Sequence, residues 1–255
     1  MFTLKKKQIA IIISLFISSN YVMADSPCIL SMGWTSWPPF MYANEKNQVT
    51  GKHIELIKAV TSGMGCHIKF KEMPWKRLLL EVKKGHIDMA AGASWTKDRA
   101  VWAHYSEPYI NSKISFFILK VDMETHDINS FEDIKKNNFQ LGVLRGAYYG
   151  QEFERLSNDP EFKKNIQVLT SVSANVKKLL ARRIDGYFMN HESGIALINK
   201  MGKDEDIITH PSISITDKYH VIMSKKSIDI EMLDKFNTSL DNVIKSGTYD
   251  EIMGN

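Results

Sequence analysis

The 255-residue chain holds only two cysteines and seven prolines. Its one sustained apolar run, Ile9 to Ile17, falls well short of the roughly 20 residues a membrane-spanning helix needs. Two cysteines do not complete a four-ligand metal site. The eight histidines, among them His53, His67, His86, His104 and His191, show neither His-Glu-x-x-His nor another paired-ligand spacing. No metal and no cofactor is therefore expected. There is no Gly-x-Ser-x-Gly elbow and no phosphate loop, which removes two large enzyme classes. Internal repeats, low-complexity tracts and flexible linkers are also missing. The formal charge of +4 is not an argument for a nucleic-acid or membrane-surface partner. Removing residues 1–24 takes away three lysines and no acid, leaving 30 basic residues against 29 acidic.

Those first residues have the organisation of an export leader. Lys5-Lys6-Lys7 precede the apolar run, and Val22-Met23-Ala24 offer a cleavage site after Ala24. Cys28 follows Asp25-Ser26-Pro27, which is not the small apolar context of a lipid-modified cysteine. The product is expected to be soluble in the periplasm, an oxidising setting. Cys28 and Cys66 each open an expected strand. If those strands are parallel neighbours, the two sulfurs meet in a disulfide; otherwise they are two buried thiols.

What the chain does contain is an alternation of strands and helices. Cys28 to Met32 reads as a strand, followed by the aromatic loop Gly33-Trp34-Thr35-Ser36-Trp37-Pro38-Pro39-Phe40-Met41-Tyr42, where the proline pair excludes a helix. Gly51 to Gly65 reads as a helix with Ile54, Ile57, Val60 and Met64 on one face. A strand from Cys66 to Phe70 leads through Pro74 into a helix carrying Leu78, Leu79 and Val82 and closed by Gly85. The strand Ile87 to Ala91 completes a βαβαβ run, which implies a parallel sheet with helices on its faces. A second unit begins near Lys113. It contains a capping pair at Ser130 and Asp133, a strand from Phe139 to Leu144, a helix capped by Ser173, and a strand from Ile184 to Met189. Tyr219 to Met223 is one further strand, and a helix from Ile230 to Ile244 ends at Gly247. Two α/β units without a linker imply two lobes with a cleft at the strand ends, where such sheets bind ligands.

The stretch Gly92-Ala93-Ser94-Trp95-Thr96-Lys97-Asp98-Arg99 carries the chemistry. A strand runs into a loop of small and hydroxyl residues, and an arginine follows. Such a loop brings backbone N–H groups, a hydroxyl and a guanidinium to one point, and the planar guanidinium grips both oxygens of a carboxylate. An isolated arginine at a helix start is an ordinary surface residue; here the neighbouring motifs argue otherwise. Trp37 and Trp75 read as walls of a binding site, whereas Trp34, Trp95 and Trp102 read as core.

Taken in order, Trp37-Pro38-Pro39-Phe40, Gly85-His86-Ile87-Asp88, Ser94-Trp95-Thr96-Lys97-Asp98-Arg99 and Ser106-Glu107-Pro108-Tyr109 resemble the family 3 extracellular solute-binding proteins, the polar amino-acid receptors of bacterial ABC importers. Gly142-Val143-Leu144-Arg145-Gly146, Arg183-Ile184-Asp185-Gly186, Lys225 and Gly247-Thr248-Tyr249 extend the resemblance over nearly the whole mature chain. It implies an α/β, two-lobed periplasmic-binding-protein-like (type II) fold, each lobe a mainly parallel sheet flanked by helices and joined by two hinge strands. Residues 1–24 are then leader, 25–117 and 220–255 the two parts of lobe 1, and 118–219 lobe 2, with hinges near Phe116 to Lys120 and Tyr219 to Ser224. It further implies a small-molecule ligand, a permease partner in the inner membrane and a monomeric receptor.

Carried over residue by residue, the resemblance puts ring-bearing residues Trp37 and Trp75 beside the ligand. Gly92 and Ser94 fall where a carbonyl and a hydroxyl meet it, and Arg99 where its carboxylate is held. Gly146 and Ala147 fall where second-lobe amides complete the carboxylate site. Two positions depart from the family pattern. Ala147 stands where a threonine is usual. Asn190 stands where an acid pairs with the ligand's α-ammonium, and an amide supplies no charge. This leaves three openings: a carboxylate without an amine, an amine held by Glu192 or by the π faces of Trp37 and Trp75, or an ordinary amino acid with Asn190 as a divergent contact. Two other functions fit the same resemblance. One is a dehydratase of the cyclohexadienyl type with Glu192 as general acid, and the other a soluble sensor component that presents its ligand to a membrane kinase.

Overall fold

The computed structural model describes residues 27–125 and 127–254. The expected leader, residues 1–24, lies outside them. In the first half of the chain, β1 (Cys28–Trp34) is followed by the short strands β2 (Tyr42–Ala43) and β3 (Val49–Thr50), then α1 (Lys52–Gly63), β4 (Cys66–Glu72), α2 (Trp75–Lys84) and β5 (Met89–Ser94). A single helical turn, α3 (Lys97–Ala100), leads to β6 (Ala103–Tyr105) and the long β7 (Ile110–Leu119). The second unit comprises α4 (Phe131–Lys136), β8 (Leu141–Leu144), α5 (Gly150–Leu156), α6 (Pro160–Lys164), β9 (Ile166–Leu169), α7 (Val172–Leu180), β10 (Gly186–Asn190) and α8 (His191–Lys200). The 18-residue β11 (Ile207–Ser224) returns to the first unit, where α9 (Ile230–Lys245) and α10 (Thr248–Met253) end the chain.

One curled sheet runs through both lobes in the order β4-β1-β5-β11-β7-β10-β8-β9, with β6 also paired to β11. The β4-β1-β5 and β10-β8-β9 segments are parallel, and the central β5-β11-β7-β10 pairs are antiparallel. The alternation of side chains along each strand explains the layers. In β5, Met89 and Ala91 face a core shared with α1 and α9, while Ala90 faces α2; Ala93 joins Ala90 on that side because the positive-φ Gly92 interrupts the alternation. In β7, Phe116 faces the side of α4 and α5 and Phe117 the side of α7 and α8. A strand covered on both faces needs an unbroken apolar run, which is what Met89–Ala93 and Phe116–Leu119 supply.

Aspartates at matching places pin the two halves. Asp88 accepts from the N–H and the hydroxyl of Ser31, each at 2.8 Å, tying the approach to β5 to β1. Asp185 accepts from Gln140 N–H at 2.7 Å in the second lobe. Ser130 and Asp133 form the expected reciprocal cap of α4.

Three local expectations differ from the structure. Helix α7 begins at Val172 with Ser171 as its N-cap residue, so Ser173 lies inside the helix rather than capping it. Trp95 is 54% exposed instead of core, because it follows the last strand residue and precedes the Thr96 cap on the outside of the turn. The strand expected at Tyr219 to Met223 starts at Ile207. Its first part is polar on alternate positions and contains Pro211, accommodated where the pairing with β7 shifts register between His210 and Ser214.

Residues Cys28 and Cys66 are direct neighbours in the parallel β1–β4 pair and form a disulfide. Along β7, residues Ile114 to Ile118 pair with β10, while along β11, residues Tyr219 to Met223 pair with β5. Between these stretches, β7 and β11 have each other as partners and cross from one lobe to the other.

Candidate functional site

Within β5, where the pairing with β11 shifts register between His220 and Ile222, Gly92 takes a φ of 77°. A Cβ there would meet Trp37 at 2.6 Å, so a glycine is required for both the backbone conformation and the close approach of the indole. Trp37 is held by the tight loop Trp37–Met41, closed by hydrogen bonds between the backbones of those two residues. Behind it stands a fully buried imidazole. His53 stacks on Phe40 and meets Trp37 and Tyr109 edge-on. The Tyr109 hydroxyl accepts from Gly92 N–H at 2.8 Å and lies 3.2 Å from His53 Nδ1. Burial, and secondarily the charge of Lys52, lowers the His53 pKa from 6.5 to about 3, so the ring is neutral.

Arg99 comes from α3, a turn capped by the Thr96 hydroxyl, which accepts from Arg99 N–H at 3.2 Å. Its side chain is 8% exposed. One terminal nitrogen donates to the Ser94 carbonyl and the other to the Gly146 carbonyl, both at 2.9 Å, and the guanidinium lies 5.9 Å from the Trp75 ring centre. Burial lowers its pKa, an effect opposed by Tyr105, Glu154 and Asp217, but an arginine remains a cation at any physiological pH. Among the described residues no carboxylate lies within ion-pair distance of it.

The opposite wall belongs to the second lobe. Gly146, with a φ of 82°, turns the chain after β8 and directs its carbonyl at the first lobe, where it accepts from both Arg99 and Trp75 Nε1, the latter at 3.1 Å. The Ala147 N–H donates to the Leu144 carbonyl within the same turn. In this structure the turn thus meets Arg99 through a carbonyl, where the resemblance implied amides aimed at a ligand. Asn190 ends β10 and caps α8: its Oδ1 accepts from Ser193 N–H at 3.0 Å and its Nδ2 donates to the Ser112 hydroxyl at 2.8 Å.

Between these walls lies a cleft of about 790 Å³, open mouth included. Of the residues expected at a site, Trp37, Trp75, Gly92, Ser94, Arg99, Ala147 and Asn190 all line it, and Gly146 lies beside it in the adjoining surface groove. Sequence reasoning missed Tyr148, Tyr149, Phe188 and Tyr219, which also line it. The aromatic pair after Gly146 was a visible signal; Phe188 and Tyr219 are strand residues that only the sheet order brings there. Arg99 is the one charged group in the lining among the described residues. Glu192 is outside the lining. Its carboxylate accepts from Lys52 Nζ at 2.6 Å in an ion pair that joins α8 to α1 across the two lobes. Among the described residues no group of three or more metal-ligating side chains occurs, and no helix is long and apolar enough to cross a membrane.

Comparison with known proteins agrees with this architecture. The model of the bacterial extracellular solute-binding proteins, family 3, matches residues 30–255. A "Probable histidine-binding protein" of Neisseria gonorrhoeae is 27% identical over 218 residues, which cover 84% of this chain and 77% of the relative. Among solved structures, an ancestral arginine-binding protein bound to arginine superposes with a TM-score of 0.75 at 24% identity, covering 88% of this chain and 96% of its own. A histidine kinase sensor domain with similarity to periplasmic binding proteins gives 0.76 at 19% identity, covering 89% and 94%. At these identities the superpositions speak for the fold, and the match over residues 30–255 speaks for descent: this chain belongs to the bacterial extracellular solute-binding proteins, family 3.

Proposed function

We propose that the protein captures a small carboxylate-bearing solute, an amino acid or a related acid, in the cleft between its lobes and delivers it to an ABC importer without catalysis. One observation carries this reading. Arg99 is buried at the wall of the cleft, its guanidinium donating to the neutral Ser94 and Gly146 carbonyls, with no protein anion within ion-pair distance among the described residues. A buried cation without a counter-charge is costly, and an anion entering the cleft offsets that cost with charge-assisted bonds that the planar fork favours. The aromatic walls add apolar contact on either side. Residues 1–24 direct export, so the site of action is the periplasm. The lobe boundary falls in the crossing strands, near Ser112–Lys113 and Asp217–Lys218, where β7 and β11 exchange partners. The dehydratase reading loses its acid, since Glu192 is paired with Lys52 away from the cleft lining.

The test is a thermal-shift screen of the twenty amino acids, their deaminated acids and aromatic acids. A ligand at a hundred times its dissociation constant adds about 2.7 kcal/mol to stability, and Arg99→Ala is expected to erase the shift for every carboxylate. A shift that survives in Arg99→Ala overturns the carboxylate site.

A further inference from the structure

The cleft carries charge of one sign only. Among the described residues Arg99 is the single charged side chain in its lining. Carboxylates stand nearby, but none lines the cleft. Glu192 is paired with Lys52, Glu154 belongs to the adjoining surface groove, and Asp217, which accepts from the Lys218 N–H at 2.8 Å, lies outside the lining.

The larger polar side chains that do line the cleft are neutral and already engaged. Asn190 accepts the α8 cap bond with its oxygen and donates its amide to Ser112. Trp75 donates its indole N–H to the Gly146 carbonyl, and the Tyr149 hydroxyl accepts from Leu144 N–H at 2.9 Å. What Trp75 and Tyr149 have left for a ligand is ring surface. With Trp37, Phe188 and Tyr219 they make a predominantly apolar, aromatic lining.

A cation on the ligand would meet no anion in this lining. It would not find a free aromatic face at Trp75 either, since the Arg99 guanidinium already lies 5.9 Å from that ring's centre. The Trp37 ring is packed on by Phe40, His53 and Tyr219. Such a cation would instead share an apolar space with Arg99, where like charges repel more strongly than in water. Once a carboxylate sits at Arg99, an acid with no cationic group brings the charge of the filled cleft to zero. A zwitterion leaves one unbalanced positive charge and a basic amino acid leaves two. The cleft, about 790 Å³ with its open mouth, has room for a body of one or two rings.

We propose that the cleft selects a monoanionic acid: a carboxylate on an aromatic or similarly bulky apolar body, without an amine or other cationic group. This rests on the carboxylate site at Arg99 proposed above, and it narrows the three openings at position 190 to one.

The experiment is isothermal titration of the purified protein with matched pairs: 3-phenylpropanoate against L-phenylalanine, and 3-(indol-3-yl)propanoate against L-tryptophan. Propanoate and L-arginine complete the set. Each aromatic acid is expected to bind at least about tenfold more tightly than its amino-acid counterpart and than arginine. It is also expected to bind at least about tenfold more tightly than propanoate, which lacks the ring. Asn190→Asp adds a negative charge to the lining while keeping the cap, and it should reduce the preference for acid over amino acid by at least about tenfold. An amino acid that binds as tightly as its acid overturns the inference, and so does an unchanged preference in Asn190→Asp. Failure of both aromatic acids to bind at millimolar concentration overturns it as well. If Arg99→Ala abolishes binding of acid and amino acid in any of these cases, the carboxylate site stands although the inference has failed. Binding of the acids that survives Arg99→Ala removes the carboxylate site itself, and the inference with it.

Discussion

His53 keeps one ring nitrogen, Nε2, buried and without a partner among the described residues, in contact with the tryptophan that walls the cleft. Its pKa falls from 6.5 to about 3 through burial and the nearby Lys52. The folded state therefore excludes a proton that the unfolded chain binds anywhere between those two values. Stability from this residue is complete above pH 6.5 and is lost as pH falls towards 3, with a slope of up to about 1.4 kcal/mol per pH unit. His191 and His210 are also lowered by partial burial, so the check is a comparison. Urea midpoints measured from pH 7 to pH 4 are expected to fall more steeply for wild type than for His53→Phe. The same residue shows why a histidine is hard to read in a sequence. Nothing around His53 in the chain distinguishes it from the exposed His86, because burial is conferred by Phe40, Trp37 and Tyr109 arriving from elsewhere. Arg99 was legible for the opposite reason: its loop is contiguous, and the ordered motifs around it restrict its role.

At the scale of the element, α8 makes Asn190 intelligible. Its Oδ1 satisfies the Ser193 N–H, one of the donors every helix leaves open at its start, and Ser193 is fully buried. Asn190→Ala is expected to cost about 1–2 kcal/mol in chemical denaturation, because a buried N–H then has neither cap nor water. Asn190→Asp should hold stability within about 0.5 kcal/mol, since a carboxylate caps equally well and favours the positive end of the helix dipole. A large loss in the aspartate variant would show that the amide's donation to Ser112 matters more than the cap. Position 190 thus has a structural duty that a sequence comparison with an acid-bearing family does not disclose. The helices and the buried strands were readable from periodicity and caps, as at α2 with Pro74 before it and Gly85 after it. The first part of β11 was not, since a half-exposed strand with a proline at its register shift has no local signature.

For the molecule as a whole, the Cys28–Cys66 bridge ties the outer edge of the sheet, across 38 residues of chain, on the lobe that carries Arg99. Replacing both cysteines by serine is expected to lower stability by up to about 4 kcal/mol in the chain-entropy account, read as a reduced urea midpoint. Ligand affinity should change little, because the bridge lies away from the cleft. Contacts across the cleft are of another kind: Arg99 and Trp75 to the Gly146 carbonyl, and Lys52 to Glu192. They are few and partly exposed. By itself the amino-acid sequence determined the alternation of elements, the chemistry available at the cleft and the kinship of the chain, because those depend on neighbours a few residues apart or on motifs kept in order. Only the tertiary structure decided that, among the described residues, Arg99 meets carbonyls and no anion, that Asn190 is a cap and that one Asp217 oxygen has no partner. Strand register and burial are set by packing between residues far apart in the chain, and no local pattern encodes them.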